Sequence, residues 1–301
     1  MSIWVPNHSA ATMTAPTALE LAQWNMQHDE SKNLTFDEKQ DRAKRMLPVS
    51  LSKNSFGTGR HILSTALFGV TKSGKGKIAA RGEDDRKAGE RKGIKKVFPS
   101  FRGGAYIEYQ GPELRQDDGT VHLGLVHNVR ATEVNNCVSF DPMEFVKGLG
   151  WDAHKKSVDK LKDCIERMQS AMVRLTVNDD TGHRAALVGS FTWTRECWSV
   201  MLDPHIIGLF KGGITFLPRA QRAKLTDGLQ TWLASFLLAQ NDEVVFILAD
   251  LHKFSGSEAA VKSFGEQVRE SLPKLVAVGV VKDFEFRRGK LIVKRKLPGE
   301  D

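Results

Sequence analysis

An apolar stripe at Val158, Leu161, Ile165, Met168 and Met172, spaced three, four, three, four, commits the middle of this chain to one amphipathic helix. Asp152 is placed to cap it. Its opposite face carries Lys156, Asp159, Lys160, Asp163 and Arg167. Just upstream, Asp141-Pro142-Met143-Glu144 supplies an N-cap, a proline at the first helical position and a reciprocal glutamate. A short helix with Phe145, Val146 and Leu149 follows, and Gly150 ends it. Downstream, VRLTV (173–177), a turn at NDDTG, AALVGSFTW (185–193) and CWSVML (197–202) read as strands. Short helix, turn, longer helix and hairpin is the order of a winged helix–turn–helix, whose second helix can enter a major groove.

The chain states that order twice. A helix over 218–239 is striped by Leu225, Leu229, Trp232, Leu233 and Phe236, and VVFIL reads as a strand. ADLHKFSGS gives a short helix and turn, and EAAVKSFGEQVRESL a longer helix with Val261, Phe264, Val268 and Leu272 facing inward. Pro273 is expected to kink or stop it, because proline lacks the helical N–H and clashes one turn back. DFEFRRGKLIVKRK (283–296) then folds as a hairpin at Arg288-Gly289. Its tip and return strand hold Arg287, Arg288, Lys290, Lys294, Arg295 and Lys296.

The charge supports a polyanionic partner. The 301 residues carry a formal +8 with a pI near 9.3. Hairpin cations suit phosphates, which set affinity and its salt dependence without reading sequence. Base reading falls to the exposed helix face: Lys262, Ser263, Glu266 and Gln267 in the second block. Lys156, Lys160 and Arg167 are the candidates in the first. The expected class is α+β, with two tandem winged helix–turn–helix domains at 98–205 and 206–301. A largely flexible extension (1–48) and an entry segment (49–97) precede them. Residues 71–96 hold ten basic and four acidic residues with hardly an apolar anchor, so a basic loop is expected there.

Several chemistries are excluded. GVTKSGKG (69–76) follows a phosphate-loop pattern through Lys75, but Gly76 replaces the hydroxyl residue and no apolar helix follows. Cys137, Cys164 and Cys197 form no C-x-x-C pair, so neither a zinc site nor a disulfide scaffold is expected. A nicking enzyme needs a nucleophilic tyrosine beside a close histidine pair. Only Tyr106 and Tyr109 occur, in a strand-like AYIEY, and no H-x-H exists. The first residues lack the basic and apolar regions of a signal peptide, and no apolar run is long enough to span a bilayer. Neither catalytic residues nor cofactor are expected.

With both blocks placed, FGTGRHILSTALFGV (56–70), GGAYIEYQGPELRQDDGTVHLGLVHNVRA (103–131), CVSFDPMEFVKGLGW, LVGSFTWTRE, MLDPHIIGLFKGG, LADLHKFSGS and GKLIVKRK carry a likeness in register over about 50–296. On these stretches the sequence resembles the TrfA-type plasmid replication initiators. The resemblance implies a cytoplasmic bacterial protein that binds direct repeats (iterons) in a plasmid origin and opens an adjacent AT-rich tract. It implies monomer–dimer exchange and contact with the host replicative helicase and host initiator, the sliding clamp being a further candidate. The reading helices it implies are 154–172 and 258–272. A winged-helix repressor without initiator activity is the alternative that DNA reading alone does not separate, and a nucleoid binder is a weaker one.

Overall fold

The computed structural model describes residues 54–70, 91, 93–101, 104–132, 137–177, 181–203, 214–226, 228–240 and 242–296. The expected extension 1–48, residues 71–90 of the basic loop and Lys75 lie outside them. All described residues belong to one unit, Arg42–Asp301.

Two modules share an element order. The first is helix α2 (Gln116–Thr132), strand β4 (Cys137–Phe140), helices α3 (Pro142–Gly148) and α4 (Lys155–Gln169), and a hairpin of β7 (Ser190–Trp193) and β8 (Trp198–Met201). The second is α6 (Leu229–Leu238), β10 (Glu243–Ile247), α7 (Leu248–Ser255), α8 (Val261–Ala277) and a hairpin of β11 (Val281–Arg287) and β12 (Lys290–Arg295). Their sheets have equivalent orders, β4-β8-β7 and β10-β12-β11, all antiparallel. In each, a left-handed glycine follows the short helix: Gly150 (φ 79°) after α3 and Gly256 (φ 66°) after α7. Gly256 also lies 3.4 Å, measured from where a side chain would begin, from Gly69 Cα and Ala66 Cβ, so the turn fits closely on the entry segment.

The local chemistry explains the helices. Glu144 N–H donates to the Asp141 carboxylate at 2.8 Å, capping α3 as its sequence demands. The α4 cap is His154 rather than Asp152, with Ser157 N–H donating to His154 Nδ1 at 3.1 Å. Leu161, Ile165 and Met168 are fully buried from α4, and Val158 is half-buried against the same core. Met172 leaves the helical stripe and opens strand β5 (Met172–Val177). Burying a Leu- or Ile-sized side chain contributes about 1.5–3 kcal/mol, so this stripe holds α4 down firmly.

Further departures from expectation have physical causes. AALVGSFTW is not one strand. Its first part completes β6 (Thr181–Ala186), and its last part is β7 in another sheet. The chain crosses over at fully buried Leu187 and Val188, where Gly189 N–H donates to Met201 O at 2.8 Å. β5 and β6 therefore form an inserted hairpin, which joins β2 (Gly93–Pro99) and β3 (Ala105–Pro112) in a sheet ordered β2-β3-β5-β6. Residues 93–96 accordingly sit in a strand, not in the expected loop. The single helix expected over 218–239 divides into α5 (Arg219–Ala223) and α6, because Gly228 adopts φ 109° between them. Finally, α8 runs through Pro273 to Ala277. Pro273 is exposed, and the apolar stripe continues beyond it with fully buried Leu275, whose burial offsets the lost hydrogen bond. Val261, expected inside, is 43% exposed at the start of α8.

Each module has its own apolar core. A bridge joins them. Strand β1 (Ser55–Gly59), followed by the short helix α1 (Arg60–Leu63), pairs antiparallel with β9 (Ile214–Pro218), and Phe56, Leu123 and Leu217 cluster beside it. The buried Arg222 guanidinium of α5 donates to Thr120 Oγ1 of α2 at 3.0 Å and to Ser235 Oγ of α6 at 2.7 Å.

Candidate nucleic-acid interface

Matching α4 to α8 by their buried residues puts Leu161, Ile165 and Met168 opposite Val268, Leu272 and Leu275, all buried. The same register matches Lys156 to Ser263, Asp159 to Glu266 and Lys160 to Gln267, on the outer faces of the two helices. Lys262, Ser263, Glu266 and Gln267 are all exposed, with Gln267 Nε2 3.5 Å from Ser263 Oγ. Lys156 and its neighbour Lys155 are exposed too. Lys160 is partly committed: its Nζ lies 4.1 Å from the Trp151 ring centroid and 3.9 Å from Asp117.

Arg167 is not on the outer face. It donates to the Asp118 carboxylate (Nε to Oδ1 3.0 Å) and lies against Cys164 Sγ at 3.1 Å, with its side chain only 10% exposed. This corrects its assignment as a DNA contact. Asp118 is fully buried and also accepts from Arg91 (2.5 Å) and from Arg115 N–H (2.8 Å). Arg91 grips Asp117 with its other nitrogen at 2.8 Å. Burial alone would raise the Asp117 carboxyl, but Arg91, seconded by Lys160 and Arg167, outweighs it and holds the group below its usual range. Burial, aided by Asp118, keeps the Cys164 thiol well above its usual value and so protonated. Asp117, Asp118 and Cys164 have metal-ligand character. The carboxylates, however, are already occupied by two guanidinium groups, and the cluster serves to lock α4 against α2.

The second hairpin turns at Arg288 (φ 49°) and Gly289 (φ 76°), the paired left-handed residues of a tight two-residue turn. Arg287, Arg288 and Lys290 are exposed there and pair with no carboxylate among the described residues. Lys294 is exposed, 3.8 Å from Glu243. Arg295 folds back to donate to Leu238 O and the Asp242 carboxylate, and Lys296 is half-buried. Of the six cations, the three at the tip therefore face solvent unpaired, and Arg295 is a structural residue rather than a contact. The first hairpin is different. Its tip, Thr194–Cys197, carries one cation, Arg195, beside Glu196, and it is flanked by Trp193 at 52% exposure.

Two residues that sequence reasoning passed over complete the picture. Lys162 Nζ stands 4.1 Å from the Trp193 ring centroid, and the Arg269 guanidinium 4.6 Å from that of Phe286. In the matched register these cations are equivalent, each following a buried residue of the stripe (Leu161 and Val268). That repetition was the available signal.

A family model described as TrfA protein matches residues 85–292. No curated protein matches the chain. Among solved structures, the crystal structure of selenomethionine derivatives of domains 2 and 3 of RctB is similar over 74% of this chain and 97% of that one. The identity is 13% and the TM-score 0.50. A second structure of RctB domains 2–3 covers 72% and 96% at 12% identity, with a TM-score of 0.46. The first likeness speaks for the shared fold.

Proposed function

The chain belongs to the TrfA family of replication initiators, and from that premise we propose that it binds plasmid origin DNA through two winged-helix modules. The observation that carries the proposal is the matched pair. Two modules of equivalent topology, bridged into one unit, each set an exposed helix face beside a hairpin. In this reading α4 and α8 enter major grooves. Lys156 and Lys160 offer donors suited to guanine edges, and Lys262, Ser263 and Gln267 offer a mixed set in which Gln267 suits adenine. Glu266 accepts from cytosine. Arg287, Arg288 and Lys290 sit on phosphates and fix the register.

The targets we propose are direct repeats, because one chain already contributes two reading heads and needs no symmetric partner to fill a site. Bound copies along such repeats would strain an adjacent AT-rich tract and present a surface to the host helicase and host initiator. The work is done by binding, with no covalent bond made or broken. Footprinting on the plasmid region flanking the encoding gene tests this. Protection of direct repeats of roughly two helical turns each, about 20 base pairs, supports the reading. Protection of a lone inverted repeat would instead mark a repressor, and no protection at all would sink DNA binding.

A further inference from the structure

We infer that Lys162 and Arg269 are phosphate contacts seated on aromatic floors, with Trp193 and Phe286 as the residues that position them. The inference rests on the DNA-binding reading above and adds a site to it. Both cations leave the long helix of their module and cross to the inner face of its hairpin. Both rings belong to the last inward pair before the turn, Trp193 opposite Trp198 and Phe286 opposite Leu291. The coincidence is therefore of position as well as of chemistry.

A cation held by a ring differs from one held by a carboxylate. A carboxylate cancels the charge. The face of an aromatic ring attracts and orients it but leaves the net charge intact. Arg269 pairs with no carboxylate among the described residues. Lys162 has Glu166 at 3.7 Å, an exposed pair of the kind that contributes little in water. Each group thus keeps its charge between helix and hairpin, where the DNA backbone would run in this reading with the helix in the groove. Phe191, 4.9 Å from Trp193, and Phe284, 6.2 Å from Phe286, back the rings from the core side.

The test uses the full chain and a mixed-sequence duplex long enough to span both modules, with affinity measured across a salt series. Arg269→Gln should weaken binding about five- to tenfold at low salt and flatten the log–log salt slope by about one, the signature of one lost phosphate contact. Arg269→Lys should keep the slope. Phe286→Leu keeps every charge and should weaken binding about two- to fivefold. Combined with Arg269→Gln it should add nothing, because the ring acts only through the cation. Lys162→Gln and Trp193→Leu should behave likewise. A purely structural role would lower Tm and leave the slope of the folded protein unchanged, and that result overturns the inference. So would additive losses in the double variant. Parent protein that binds with variants matching it overturns this inference alone. Parent protein with no salt-dependent binding overturns the DNA reading as well.

Discussion

The two modules are built alike and charged differently. In the first, positive charge lies along the helix, at Lys155, Lys156, Lys160 and Lys162, while the hairpin tip is nearly neutral and aromatic. In the second, the hairpin tip is the cationic part, and the helix presents a mixed face of Lys262, Ser263, Glu266 and Gln267. One frame thus supports two divisions of labour. In the proposed DNA complex the first module would grip mainly through its helix, and the second mainly through its hairpin. The first module alone also carries the buried ionic lock around Asp118 and the inserted sheet.

That contrast can be broken most severely at the lock. Asp118→Ala leaves Arg91 and Arg167 buried without their shared partner, which should cost about 3–5 kcal/mol. Hydrogen exchange should show the amides of the first core losing protection before those of the second. Equal loss in both would mean that the two cores do not melt as separate units.

A smaller effect should appear with pH. His122 of α2 is fully buried, neither ring nitrogen has a hydrogen-bond partner among the described residues, and burial pushes its pKa down to about 4. Between about 6.5 and 4 the unfolded chain therefore takes up a proton that the folded chain refuses. Stability should fall as pH drops through that window, by up to ~3 kcal/mol. Denaturant midpoints should follow this trend in the parent and flatten in His122→Leu. A variant as pH-sensitive as the parent would place the effect elsewhere.

The third test sharpens the charge comparison directly. Replacing Arg287, Arg288 and Lys290 together with Gln should flatten the salt slope by up to ~3, against about one for Arg195→Gln in the first hairpin. Equal slopes would remove the asymmetry. The most modest effect concerns discrimination. Gln267→Ala should shift the preferred bases by about 1–3 kcal/mol per position, as read from sites selected out of a random pool. Lys156→Ala should likewise relax the preference, at positions where the parent selects guanine.

The sequence made the main stripe and the turns of the second module legible, because their signals are local. The stripe from Phe264 to Leu272, the turn at Gly256 and the hairpin at Arg288-Gly289 each declare themselves within a few residues. In the first module the decisive partners are distant in sequence. Nothing beside Arg167 announces Asp118, 49 residues upstream, so a cation at helical spacing from Lys156 and Lys160 read as solvent-facing when it was a core group. The strand run 185–193 hid a change of sheet because buried Leu187 and Val188 look no different in sequence from strand interior. Proline's local rule failed at Pro273 because Leu275 lies beyond it in the core. The exposure of the three tip cations was legible from the hairpin sequence alone. Arg295, folded back onto Leu238 and Asp242, was not.

The pairing of β1 with β9 bears on how long a site the proposed DNA complex would cover. A strand preceding the first module is zipped to one that opens the second, and Arg222 rivets the joint from inside. In the proposed DNA complex the two modules would therefore act as the jaws of a fixed-gauge caliper rather than beads on a string. Base-pair spacing within a target would be dictated by that seam, and lengthening the sequence between the modules would leave the gauge untouched.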